Sequence, residues 1–282
     1  MTHPLKNLLL TCLLLLATNL ALQAQDKPLV IGKSDVLFST VLNENRTINI
    51  TLPEGYHDDP NAKYPVIYIL DGGMEEDFIH LAGIVRFSSQ SWVNRLPGSI
   101  VVGIENTNRR RDFTFAVTNT DFIEKEGFKK SSFPQYGGSQ NYMDFLEKEL
   151  QPYMTKNYRV SEQKTVIGES LAGLMATEIL AKRPQLFTNY IIISPSLWWG
   201  EQALLKNAGT LLTKNLKNPV TIYIGAPSKD EDLKMYQEVE SLYKSIKTHK
   251  NAKVVFDYMA DETHATVIHQ AVYNAFKMQS KK

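Results

Sequence analysis

Six short apolar runs punctuate the chain, at 66–70, 100–104, 165–167, 190–193, 220–224 and 254–258. They are continuous rather than alternating and rich in β-branched residues, the pattern of strands covered on both faces of a parallel sheet. Ahead of them, 30–49 reads as a β-hairpin region, with strands at 35–39 and 45–52 and a turn at Pro53-Glu54-Gly55-Tyr56. Between the runs the apolar period becomes helical. Over 142–154 it brings Phe145, Leu146, Leu150 and Tyr153 together. A helix over 171–183 ends on Lys182-Arg183-Pro184, where cations suit the C-terminal dipole and proline stops continuation. Further helices are predicted over 233–246 and 266–278. Such alternation predicts an α/β fold, a doubly wound and mostly parallel sheet extended by an antiparallel N-terminal hairpin. Residues 106–138, with Arg109-Arg110-Arg111-Asp112, scattered aromatics and Gly137-Gly138, fit no element and predict a long excursion over the C-terminal edge of the sheet.

The first 24 residues stand apart. Lys6 precedes the apolar run 8–17, and Gln23-Ala24-Gln25 follows with a small residue where cleavage would occur. This is the layout of a secretory signal peptide cut after Ala24, and the apolar run is short for a span of about 20 residues. The expected organisation is therefore a signal at 1–24, a single domain over 25–282 and a periplasmic destination. The only cysteine, Cys12, would leave with the signal, which excludes a thiol nucleophile, a cysteine zinc site and an iron–sulfur cluster in the mature chain. The 31 basic and 30 acidic residues nearly cancel, so neither a nucleic-acid partner nor electrostatic docking on an anionic membrane is expected.

The chemistry concentrates in Thr165-Val166-Ile167-Gly168-Glu169-Ser170-Leu171-Ala172-Gly173. A buried strand runs into small residues around one serine and then directly into a helix. Presenting Ser170 on so sharp a turn leaves no room for bulk two residues away, hence Gly168 and Ala172, and it puts the hydroxyl at a helix N-terminus that favours negative charge. Ala172 replaces the last glycine of the usual G-x-S-x-G pattern. The bland alternative is a serine that merely caps a helix.

If Ser170 is a nucleophile elbow, the chain order of the α/β-hydrolase fold is nucleophile, acid, base. The base is then His264, between the last strand and the last helix. His80 is the runner-up, whereas His3, His57, His249 and His269 lie in the leader, an early turn, a lysine-rich stretch and the final helix. The acid is expected in Gly225-Ala226-Pro227-Ser228-Lys229-Asp230-Glu231-Asp232, with Asp232 preferred over Glu231 and Asp230. Each carboxylate could equally be a solvated charge or serve the N-terminus of the following helix. A Ser–His dyad with no close acid is a further reading.

These residues resemble an esterase branch of the α/β hydrolases that includes trilactone-siderophore (enterochelin-type) esterases. The supporting stretches are 64–72, Val101-Val102-Gly103-Ile104, Arg111-Asp112-Phe113-Thr114, Gly168 to Gly173 and Ser194-Pro195-Ser196-Leu197-Trp198-Trp199, in family order from about Val36 to the C-terminus. The resemblance implies Ser170 and His264 as nucleophile and base, an acid near Asp232, and an oxyanion hole formed by the N–H groups of Gly73 and Leu171. The expected activity is serine carboxylic-ester hydrolysis through an acyl-enzyme, on a small ester or lactone, with no metal or organic cofactor. Alternatives are a periplasmic trilactone siderophore hydrolase, a carbohydrate or feruloyl esterase, and a non-catalytic binding protein on the same scaffold. Trp198 and Trp199 could wall a substrate pocket or pack in the core, and Arg111 with Arg109 and Arg110 could meet an anionic substrate or pair with Asp112.

Overall fold

A computed structural model describes residues 27–279. The expected leader, with Cys12 and His3, lies outside them. Among the described residues no helix is long and apolar enough to cross a membrane.

Eight strands form one sheet: β1 (Lys33–Ser39), β2 (Glu44–Thr51), β3 (Tyr64–Leu70), β4 (Ile100–Ile104), β5 (Val160–Glu169), β6 (Asn189–Ile193), β7 (Val220–Ala226) and β8 (Ala252–Tyr258). Their spatial order is β1-β2-β4-β3-β5-β6-β7-β8. The pairs β1–β2 and β2–β4 are antiparallel, and all others are parallel. This is the α/β-hydrolase sheet that the strand series predicts. The helices are α1 (Phe78–Ser89), α2 (Ser139–Phe145, a π-helical stretch Leu146–Leu150, then Gln151–Asn157), α3 (Leu171–Lys182), α4 (Ala203–Asn215), α5 (Leu233–Ile246) and α6 (Val267–Gln279). The π stretch ends two residues before Pro152, which has no N–H to offer the carbonyl of Lys148 four residues back; the widened turn accommodates that loss.

From β3 to β7 both faces of the sheet are covered, which explains why those strands do not alternate, whereas the edge strand β1 does. Along β3, Val66, Tyr68 and Leu70 enter one apolar cluster, with α2, α3, α4 and α5. Ile67 and Ile69 enter the other, under α1 and α6. The segment after β4 carries short helices at Arg109–Asp112 and Asp121–Lys125. Ion pairs tie it to β2. Arg46, wholly buried on β2, meets Asp112 at 2.6 Å and Glu44 at 2.9 Å, and Arg111 meets Asp112 at 2.7 Å and Glu44 at 2.6 Å. The excursion is thus clamped to the sheet rather than laid loosely over it.

Candidate active site

All the parallel strands deliver their C-terminal ends to one edge, where open α/β sheets place ligands. Three residues there have positive φ without being glycine: Asp71 after β3 (62°), Ser170 after β5 (61°) and Ser194 after β6 (40°). Such backbone costs roughly 1–3 kcal/mol per residue and persists only where the surroundings over-determine it.

Ser170, with φ 61° and ψ −120°, lies between β5 and α3. Its N–H donates to Ile193 O at 3.1 Å, and its carbonyl accepts from Leu174 and from Ser196 N–H, both at 2.9 Å. A Cβ on Gly168 would come within 2.3 Å of Ala172 O, so glycine is required there. Ala172, by contrast, points its methyl into the core and is wholly buried, so alanine serves where the usual pattern has glycine.

His264 reaches this turn from the β8–α6 connection. Its Nε2 lies 3.1 Å from Ser170 Oγ. The sequence separates the two residues by 94 positions, and the sheet brings them into hydrogen-bond contact. Ser196 Oγ is 3.3 Å from Ser170 Oγ on another side. His80, the runner-up, faces elsewhere. It lies in α1 with its ring 4.6 Å from that of His269.

The acid loop does not do what the sequence reading expects. Asp232, preferred as the acid, caps α5: its Oδ1 accepts from Met235 N–H at 2.9 Å. Glu231 contacts His264 through the backbone, Oε2 accepting from His264 N–H at 2.5 Å, and Asp230 is exposed. Among the described residues, His264 Nδ1 meets the hydroxyl of Ser194, at 2.8 Å. The cap is the competing use of an acidic residue at a helix start, and it prevails because Asp232 is in the favoured N-cap position, where an extended backbone aims the carboxylate at α5.

The two expected oxyanion donors differ. Leu171 N–H heads α3, where the first N–H groups have no carbonyl of their own helix. Gly73 N–H donates to Glu76 Oε2 at 2.7 Å, so a substrate oxygen takes that donor only by displacing a carboxylate. Asn106 holds the same Glu76 side chain at 2.8 Å and Asp71 at 2.5 Å.

Trp198, Trp199 and Arg111 do not wall a pocket; each takes its alternative reading, core packing for the tryptophans and pairing with Asp112 for the arginine. Trp199 is wholly buried and donates Nε1–H to Phe115 O at 2.9 Å. Trp198 is nearly buried, stacked 5.0 Å from Phe128. Both hold the excursion onto the sheet, filling space between it and β6. Arg111 is consumed by Glu44 and Asp112, because two fixed carboxylates satisfy its planar fork. Arg109 is likewise bidentate to Asp71, at 2.7 and 2.8 Å. A cleft lined by Asn189, Val220 and Lys250 opens at the other end of the strands, away from Ser170.

Comparison with known proteins gives this geometry a context. Residues 39–278 match the model of the family described as "Putative esterase". The chain belongs to that esterase family. It is 27% identical over 260 residues to the ferri-bacillibactin esterase BesA of Bacillus subtilis, covering 88% of this chain and 89% of that protein. An IroE-like serine hydrolase from Shewanella oneidensis superposes with a TM-score of 0.80 at 28% identity, over 88% of this chain and 79% of that one. The BES protein from Bacillus cereus gives a TM-score of 0.79 at 26% identity, over 93% of this chain and all (100%) of that one. The protein is a carboxylic ester hydrolase of the α/β-hydrolase fold.

The electrostatics of the esterase's site follow from burial. Desolvation holds the His264 imidazole below its ordinary value; Glu231 and Asp232 pull the other way, and Arg109 adds to the lowering. Desolvation pushes the Glu169 carboxyl up to about 8, against the pull of Arg109 and with help from Asp71 and Asp77. Glu169 Oε1 lies 3.4 Å from His264 Nε2, but with these shifts the pair is neutral acid and neutral imidazole near pH 7, not an ion pair. Because Asp232 is a cap, Asp232→Ala in the esterase should cost roughly 0.5–2 kcal/mol of stability. Its kcat should fall far less than the ~10⁴-fold that follows damage to a working triad carboxylate. Urea unfolding and steady-state kinetics on the one variant check both halves.

Proposed function

We propose that this esterase cleaves the ester bonds of a siderophore by acyl transfer through Ser170, with His264 as general base. The observation that carries the reading is the 3.1 Å contact between His264 Nε2 and a serine hydroxyl held at positive φ on a strand-to-helix turn. His264 takes the Ser170 proton as Oγ attacks the ester carbonyl. The tetrahedral oxyanion forms beside Leu171 N–H at the positive end of α3, where a single such donor is worth roughly 3–4 kcal/mol. Gly73 N–H joins once Glu76 is displaced. His264 then returns the proton to the departing alcohol oxygen, and water repeats the sequence on the acyl-enzyme. The substrate class rests on the relatives, since BesA is a ferri-bacillibactin esterase that this chain matches over most of both lengths. The leader-like residues 1–24 support export and a periplasmic site of action.

The test is a substrate panel for the purified mature protein: a ferric trilactone siderophore, its linear ester fragments, and short p-nitrophenyl esters. The expected result is a kcat/KM for the siderophore esters about tenfold or more above that for p-nitrophenyl acetate, since transition-state binding of the correct substrate sets this ratio. Equal or better turnover of the simple esters would overturn the substrate class while leaving the ester hydrolase intact.

A further inference from the structure

We infer that a neutral relay, Met235 to Ser194 to His264, sets the tautomer of the imidazole in place of a carboxylate. The inference rests on the proposed roles of Ser170 and His264 and assigns a positioning residue behind them.

The argument is one of hydrogen counting. Ser194 is wholly buried and its Oγ has two partners: Met235 Sδ at 3.1 Å and His264 Nδ1 at 2.8 Å. A thioether sulfur carries no hydrogen and can only accept, while a hydroxyl has one hydrogen and two lone pairs. For both contacts to be hydrogen bonds, the Ser194 hydrogen must go to sulfur, so that a lone pair faces the ring. The contact at Nδ1 then requires that the ring nitrogen bring the proton. With Nδ1 protonated, the neutral imidazole has its free lone pair on Nε2, 3.1 Å from the Ser170 hydroxyl. Every donor in the chain points the same way, from Ser170 to His264, from His264 to Ser194, from Ser194 to Met235.

The relay has a competitor to defeat. Glu169 Oε1 is buried, has no hydrogen-bond partner among the described residues and lies 3.4 Å from Nε2. It could accept from an Nε2–H, which would leave Ser170 without a base. The direction of Ser194 tips the balance toward the productive tautomer. Met235 is placed for this by the first turn of α5, where Asp232 caps its N–H. Ser194 in turn is fixed by φ 40° and by its N–H donating to Gly225 O at 2.9 Å. The residue expected to act as acid thus acts two steps away, by anchoring the sulfur.

Three variants test this: Ser194→Ala, Met235→Leu and Ser194→Asp. Asp tolerates positive φ better than most residues, and Leu replaces Met at small packing cost. Each is read by nitrogen NMR of the His264 ring and by kcat/KM against pH, with Ser170→Ala and fluorophosphonate labelling of the wild type as controls. The wild type should show Nδ1–H at neutral pH. Ser194→Ala should lose that preference and lower kcat by about 10²-fold or more, the scale of a mispositioned general base. Met235→Leu should shift the tautomer the same way with a smaller loss. In Ser194→Asp the carboxylate faces a ring already near Glu169, Glu231, Asp232 and Arg109. It should raise the midpoint of the acid limb by about 1 unit or more.

A Ser194→Ala enzyme that keeps Nδ1–H and kcat within about twofold would overturn the relay. If Ser194→Ala does not fold, an unmoved acid limb in Ser194→Asp together with an unchanged tautomer in Met235→Leu overturns it. Failure of the wild type to label at Ser170 would instead sink the functional reading, and the ring tautomer could still be measured.

Discussion

Ser170→Ala is expected to lower kcat for ester hydrolysis by about 10⁴- to 10⁶-fold, the range seen when the nucleophile of a serine hydrolase is removed. The variant deletes one oxygen and little else. The turn that holds position 170 is secured by its backbone, through Ile193 O, Leu174 N–H and Ser196 N–H, and none of these bonds uses the side chain. The fold and the KM should therefore persist while covalent labelling by a fluorophosphonate disappears. A thermal melt, a steady-state assay and a labelling gel on one preparation separate loss of chemistry from loss of structure. Turnover within tenfold of wild type would remove Ser170 from the mechanism.

The pH profile of the wild type carries a linked expectation. In the proposed mechanism His264 must be unprotonated to take the Ser170 proton. Burial and Arg109 depress the His264 pKa, and the opposing carboxylates do not reverse the direction. The neutral base therefore survives to lower pH than a free histidine would allow. The acid limb of kcat/KM should have its midpoint below about 6.5, the value for an unperturbed imidazole.

The second large effect concerns stability. Asp112→Ala should destabilise the fold by about 3–5 kcal/mol, because it removes one partner of a buried ion pair and leaves the other charged. Arg46 has no exposed side-chain surface. It would retain Glu44 and the carbonyl of Glu105, at 2.9 and 3.1 Å, and the faces of Tyr142 and Phe145 below its guanidinium. Arg111 would lose its Nε partner at the same time. Urea unfolding at several ionic strengths measures the loss, and little salt dependence is expected for so buried a pair. The double replacement Arg46→Met with Asp112→Leu should recover much of it, since apolar groups need no partner there. A single-variant cost below about 1 kcal/mol would mean that the pair is solvated like a surface bridge.

Local pattern was enough for the central strands of the sheet because both their faces are covered. Burial on both sides forces consecutive apolar residues, so β3 to β7 are visible in the sequence as unbroken runs, and half-buried β8 keeps its own at Val254-Val255-Phe256. Two long helices were not legible. In α1, Phe78-Ile79-His80-Leu81-Ala82-Gly83-Ile84-Val85 mixes apolar residues around the axis with a central glycine, and both period and propensity blur. In α4, Leu204, Ala208 and Leu212 are the buried residues, a stripe of one or two apolar contacts per turn that lysines and asparagines obscure. Asp232 was legible in principle. An Asp directly before a helix is the strongest local cap signal, and it competed with the rule that the acid follows β7.

Ser194 had no such signal. It reads as one serine of Ser194-Pro195-Ser196 after an apolar run, and no spacing marks it out. What the chain's own order determined is the strand and helix series, the tight serine turn and the histidine past the last strand, because those are encoded by neighbours a few residues apart. Which group meets each nitrogen of that histidine was decided only in three dimensions. Parallel pairing sets the ends of β5, β6 and β8 along one edge and brings Ser170 and Ser194 to a ring that lies 94 and 70 positions away, while Met235 on α5 meets Ser194 from 41 positions away. Such contacts depend on ångström-scale alignment of separate strands, and short-range pattern carries no record of it.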